Sequence, residues 1–236
     1  IGYEVLKKVN PSIVYAAVSG FGHTGPYKDR AGYDIIAQAM SGLMSTTGWP
    51  GGPPTRTGTA IGDVLAGFSV TIGILAALRH KEKTGVGQQV DVALVDSAVA
   101  SLEIITQIYL AEGRLPQRIG NRYESVYPYD SFETKDSMVV IGAGNDKLWR
   151  LLCKAMGDPD LADKPEYEKN VQRVERHEEL RPIVEAWTKT KTGEEVVNEL
   201  LAIGVPAAPI NDISQVVKDP HIAGDRQMFV EVNHPK

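Results

Sequence analysis

Cysteine is almost missing from this sequence: Cys153 is the single thiol in 236 residues. An intrachain disulfide is therefore excluded, and a lone thiol fits a reducing compartment, so the cytoplasm is the expected location. Core packing is the role expected of Cys153. Histidine is sparse too. The five histidines are scattered, and none stands with Cys, Asp or Glu at the spacing of a metal site, so no metal is expected. No uninterrupted apolar run approaches the ~18 residues of a membrane span, so no contact with a membrane is expected. Positive charge is not in excess: 25 Lys and Arg stand against 30 Asp and Glu, a net charge of −5, so bulk electrostatics favour no nucleic-acid partner. A phosphate-cradling P-loop, a nucleophile-elbow serine and a dinucleotide-binding glycine fingerprint are absent as well. "GFGHTGP" fails the spacing of the last, which weakens kinase, hydrolase and dehydrogenase readings.

What is present is an ordinary globular composition, 42% hydrophobic and 23% charged, long enough for one large or two small domains. The chain opens on Ile1 with neither Met nor a charged-then-apolar leader, so no secretory signal is expected. "YEVLKKV" reads as the tail of a helix whose start is absent, the pattern of a fragment. After Asn10-Pro11, "SIVYAAVSG" has the apolar, β-branched character of a buried strand in an α/β sheet. The loop from Gly20 to Gly32 follows, at the carboxyl end of that strand, where open α/β folds bind ligands. A helix is expected from Asp34, with Ile36, Ala37, Met40, Leu43 and Met44 at helical spacing. A second is expected from Val64 to His80, with Leu65, Phe68, Ile72, Leu75 and Ala76 on its core face. A strand is expected near Gln89 to Ala93, then a long helix from about Val95.

The character changes near Glu112. An aromatic, turn-rich stretch leads to a strand at "SMVVIGAG" and a helix at "NDKLWRLLCKAMG". The charged run after Lys164 reads as two amphipathic helices separated at Thr192-Gly193, with a solvated face. The expected organisation is a large α/β domain over residues 1–110, a linker over 111–124, a small α+β domain over 125–205 and a returning segment over 206–236.

"TAIGDVLAGF" carries the most chemistry. With the helix starting at Val64, Asp63 is its N-cap, accepting hydrogen bonds from first-turn N–H groups. The alternative is a reactive carboxylate presented at the helix mouth, where free backbone donors and the positive helix end hold an anion. Gly62 beside it leaves room for a ligand. Position alone favours the cap, and the two roles are compatible.

The block from "GFGHTGPYKDRAGYDIIAQAMSGLMSTTGWPGGPPTRTGTAIGDVLAGF" through "GVGQQVDVALVDS", followed by "GNRYESVYPYDSFETKD" and "IGVPAAPINDISQVVKDP", resembles the class III CoA-transferases, the family of formyl-CoA transferase and carnitine CoA-transferase, to which acyl-CoA racemases are related. The resemblance implies a doubly wound, Rossmann-like large domain with a smaller α+β domain, in an interlocked homodimer. It implies coenzyme A as a substrate rather than a tightly bound cofactor, with an acyl-CoA and a carboxylic acid as the partners. By resemblance Asp63 is the nucleophile, forming an aspartyl anhydride and then an aspartyl-CoA thioester. Ala31, Gly32, Tyr33 and Asp34 line the pantetheine and thioester region beside Gly62. The racemase branch has histidine where this sequence has Tyr33, and a phenol with a pKa near 10 is a poor α-proton base at neutral pH. Racemase-type proton transfer is therefore the alternative, with a non-catalytic fragment as the third reading. The first βα units, which carry the family's nucleotide contacts, and the glycine-rich lid loop have no counterpart in this sequence.

Overall fold

In the computed structural model, which describes residues 2–233, the apolar run after Pro11 forms β1 (Tyr15–Ser19), and β2 (Gln89–Ala93) pairs with it in parallel, Tyr15 opposite Gln89 and Ser19 opposite Ala93. Residue 1 of the expected large domain and 234–236 of the expected returning segment lie outside the described residues. The chain forms two compact units, Ile1–Gly120 and Asn121–Lys236.

In the first unit, parallel pairing demands a long crossover between the strands. It contains α2 (Asp34–Ser41), α3 (Leu43–Thr46) and α4 (Ile61–Thr84). α1 (Tyr3–Val9) precedes β1, and α5 (Leu94–Ala100) and α6 (Ile104–Glu112) follow β2. The long helix expected from Val95 is thus two helices bent by 74°. The break comes where the Ser101 hydroxyl turns back to the Ala98 carbonyl and Glu103 takes a positive φ of 47°.

α4 departs from expectation in two ways. It begins at Ile61 rather than Val64, so Asp63 lies inside its first turn and the N-cap is Ala60, whose side chain makes no cap. Its packed face is also not the one expected. Phe68, Ile72 and Leu75 are exposed, whereas Gly62, Ala66 and Ala77 are buried. Small residues win because they let the helix backbone come down onto the strands: a Cβ on Gly73 would stand 2.6 Å from Val90 Cγ1. An 18-residue window of α4 has a mean hydropathy of 2.0, so the helix is long and apolar enough to cross a membrane by length and composition, a test that core helices also pass, although it holds no uninterrupted apolar run of that length. The value comes from Ile, Val, Leu, Phe and Ala residues interrupted by Gly, Ser and Thr, so no conspicuous block forms. It packs on β1, β2, α2 and α5.

The second unit is a three-stranded antiparallel sheet of order β3-β4-β5, made of β3 (Tyr129–Glu133), β4 (Met138–Gly142) and β5 (Ala207–Pro209). Ala207–Pro209, in the "VPAAPI" of the returning segment that reads from sequence as a strand, does form one, at the edge of this sheet. α7 (Asp146–Ala155), α8 (Asn170–Glu175), α9 (His177–Thr188), α10 (Gly193–Ala202) and α11 (Ile213–Val216) complete it. The charged run holds three helices instead of two. It is not wholly a solvated face either: Arg173 is fully buried and donates to the carbonyls of Tyr127, Gly144, Tyr167 and Glu168 and to Asp146. Phe132, Ile141, Trp149, Leu152, Leu180 and Leu200 form the core around it.

Candidate active site

The candidate site residues all lie in the first unit, at the carboxyl end of β1 and the amino end of α4. The loop between β1 and α2 is closed at its base by two glycines. A Cβ on Gly20 would stand 2.6 Å from the Gly32 Cα, and one on Gly32 would stand 2.5 Å from the Gly20 Cα, so backbone meets backbone there. That contact holds Ala31, Gly32 and Tyr33 close to the end of β1. Inside the loop, Phe21 and Tyr27 meet edge to face, and the Arg30 guanidinium lies 3.7 Å from the Tyr27 ring centroid.

A second tie reaches β2. Asp91 Oδ1 is 2.7 Å from His23 Nδ1, and Asp91 Oδ2 accepts the His23 backbone N–H at 2.8 Å. Burial pushes the Asp91 carboxyl up, but the hydrogen bonds from His23 outweigh it and hold the group below the usual carboxylate value.

Asp34, the first residue of α2, is the hinge of the constellation. Its Oδ1 accepts the Gly62 N–H at 2.8 Å, and its Oδ2 accepts Gln38 Nε2 at 2.7 Å. Gln38 is fully buried. Its Oε1 accepts from the Thr57 N–H at 3.0 Å and faces the Thr57 hydroxyl at 3.3 Å, while Nε2 also reaches the Thr59 carbonyl at 3.4 Å. The first turn of any helix leaves N–H groups without intrahelical acceptors. In α4, one of these is satisfied by a carboxylate from a different helix. The expected aspartate cap exists, but Asp34 supplies it and Asp63 does not.

Asp63 is exposed, and among the described residues it has no hydrogen-bond or ion-pair partner. It stands where the helix dipole is positive. Tyr33 is 76% exposed, so its ring does not serve core packing at the start of α2. Gly62 is buried, and a Cβ there would meet Asp34 Oδ1 at 3.1 Å and the Ala37 Cβ at 3.7 Å. Its missing side chain admits α2, where sequence suggested room for a ligand. The structure thus gathers Asp34, Gly62 and Asp63 around the start of α4, with Ala31, Gly32 and Tyr33 adjoining through the chain.

Local sequence spacing does not single out His23 or Asp91 as partners. Only Gln38 carried a signal: it lies four residues after Asp34, a spacing at which Asp and Gln side chains meet on one helix face. Cys153, in the second unit, is buried, and burial first of all pushes its thiol up to about 12, so thiolate chemistry is excluded at neutral pH. Among the described residues, no three His, Cys, Asp or Glu side chains are grouped to hold a metal ion.

The sequence matches the model of CoA-transferase family III over residues 1–236. It is 42% identical over 99% of its length to a succinyl-CoA:mesaconate CoA-transferase of Haloarcula marismortui, and 38% identical over 97% to an acetyl-CoA:oxalate CoA-transferase of Acetobacter aceti. The crystal structure of a CAIB/BAIF family protein from Brucella suis superposes with a TM-score of 0.79, at 38% identity over 94% of this chain. The chain spans 59% of the length of each of these three proteins. A mixed α/β chain with this match along its whole length belongs to CoA-transferase family III.

Proposed function

We propose that the protein moves CoA from an acyl-CoA donor to a carboxylic acid acceptor, with Asp63 as the nucleophile. The observation that carries this reading is an exposed, unpartnered carboxylate in the first turn of a helix, in a chain of this family. The Asp63 carboxylate attacks the thioester carbonyl, forming an aspartyl anhydride and expelling CoA thiolate. The thiolate attacks the aspartyl carbonyl, giving an aspartyl-CoA thioester and releasing the donor acid as carboxylate. The acceptor carboxylate then regenerates an anhydride and thiolate, and thiolate attack on the acceptor carbonyl frees Asp63. Every step exchanges one carboxylate or thiolate for another, so no proton must be supplied, and covalent catalysis divides one hard exchange into easier ones. The positive end of α4 supports the oxyanions formed at residue 63.

In this reading Ala31 to Asp34 border the thioester and pantetheine, with Tyr33 presenting its ring from the loop end. Coenzyme A is a substrate, and no tightly bound cofactor takes part. Relatives named for mesaconate and for oxalate both match the chain, so a small dicarboxylate is the acceptor class to try first. We further propose that the first unit belongs to a doubly wound, Rossmann-like domain and the second to a smaller α+β domain. The two subunits form an interlocked homodimer in the cytoplasm.

Incubation of the full-length protein with succinyl-CoA and a panel of dicarboxylates tests the reaction. The acceptor thioester is expected to form, and Asp63→Asn is expected to lower its formation by at least about 1000-fold. Because Asp63 is exposed, that variant should keep its stability within about 0.5 kcal/mol. Exchange of the acyl-CoA α-hydrogen with deuterated solvent, without an acceptor acid and without transfer, would instead identify a racemase.

A further inference from the structure

We propose that Asp34 and Gln38 are positioning residues for Asp63: together they determine where α4 begins, and so where its carboxylate stands. The inference rests on the reading of Asp63 as nucleophile. Ala60 offers α4 no cap of its own, and the Gly62 N–H, next in the chain to Asp63, is held by Asp34 Oδ1 at 2.8 Å. Asp34 is itself held by Gln38 at 2.7 Å. Through its other contacts, Gln38 grips the approach to the helix at the Thr57 N–H and the Thr59 carbonyl.

Three features separate this role of the two side chains from the ligand border proposed for the backbone of residues 31–34. Both oxygens of Asp34 are engaged inside the protein, Gln38 is fully buried, and neither side chain bonds to Asp63. The network is also strictly polarised. The Gln38 amide must turn its NH2 toward Asp34, because the carboxylate only accepts and the Gln38 oxygen is held by the Thr57 N–H at 3.0 Å. Displacing a reacting group by about 1 Å can cost about 100-fold in rate, so slack in the first turn of α4 would be felt at the thioester.

The polarity supplies the test. Asp34→Asn leaves one acceptor for two donors, so an NH2 is set against the Gln38 NH2 or the Gly62 N–H, and Gln38→Glu sets an oxygen against an oxygen of Asp34. The double variant Asp34→Asn/Gln38→Glu restores one donor facing one acceptor across this pair, with the net charge unchanged, and gives up only the longer 3.4 Å contact with the Thr59 carbonyl. In the full-length protein, the Asp63 adduct formed from succinyl-CoA is trapped with hydroxylamine, and its rate is followed against succinyl-CoA concentration. Each single variant is expected to lower the maximal rate about 100-fold with half-saturation nearly unchanged, and the double variant to recover most of it. Hydrogen exchange of the peptide over residues 57–64, which needs no catalysis, should quicken in the single variants and slow again in the double. Thr57→Val, which removes the hydroxyl contacts with Gln38 Oε1 and the Thr59 carbonyl and keeps the Thr57 N–H on Gln38, is the mild variant, expected to slow trapping about fivefold.

Single variants that react at the wild-type rate overturn the positioning role. So does a double variant that restores slow exchange but stays as slow in chemistry as the single ones, since the loss would then come from the Asp34 charge itself. A wild-type protein that forms no adduct at all overturns the reading of Asp63, and the exchange pattern still reports whether the clamp exists.

Discussion

Asp63 and Asp34 both stand at the first turn of one helix, yet their surroundings differ completely. Asp34 is tied into the protein through the Gly62 N–H and Gln38, whereas Asp63 has no partner among the described residues. The sequence made a carboxylate at this turn visible but could not say which aspartate caps it. A cap from another helix depends on α2 crossing the start of α4, and no local spacing records that. Gly32 carries a comparable hidden constraint. Gly32→Ala would push a methyl group to within 2.5 Å of the Gly20 Cα, and neither backbone can yield without reshaping the loop. Urea denaturation should show a loss of about 2 kcal/mol or more, with CoA transfer falling because the 31–33 segment moves.

At the scale of elements, β1, β2, β4 and the existence of most helices were legible, since β-branched runs and glycine breaks are local. β2 falls where it was expected, and α2 starts at Asp34. The seated face of α4 was not legible, because a count of large apolar residues points to Phe68, Ile72 and Leu75. Close approach is governed by the small residues opposite. Two glycines of the same helix test this. A methyl at Gly73 would meet Val90 Cγ1 at 2.6 Å, but nothing lies within 4 Å of one at Gly67. Gly67→Ala should therefore stabilise the protein by about 0.5–1 kcal/mol through helix propensity alone. Gly73→Ala should forfeit that gain and destabilise by about 1 kcal/mol through overpacking. Equal effects in thermal or urea unfolding would refute the assigned face.

The tie between the loop and β2 belongs to the same scale and depends on pH. The Asp91 carboxyl is held below its ordinary value of 3.8, so its ionised form is favoured in the folded state. Its contribution is full above that ordinary value and disappears as the pH falls through the lower folded value. The stability difference between wild type and Asp91→Asn should thus be present at pH 7 and shrink below about pH 4. A difference independent of pH would show that Asp91 acts by shape alone.

At the scale of the whole molecule, the charged run of the second unit shows where composition misleads. Most of its charges read rightly as surface, but Arg173 is buried and joins four carbonyls and Asp146, an arrangement that only the folded unit reveals. β3 was hidden for a related reason: "YDSFE" lacks β-branched residues, and its pairing with β4 sustains it. Membership of CoA-transferase family III was legible because the resemblance runs along nearly the whole chain, whereas the acids it serves depend on pocket contacts that no single motif encodes. The central claim is that Asp63 becomes covalently acylated. Its most direct test is peptide mass spectrometry of the full-length protein after reaction with succinyl-CoA and quenching with hydroxylamine. The account predicts a hydroxamate at Asp63 and at no other carboxylate; an unmodified Asp63 in protein that still transfers CoA would contradict it.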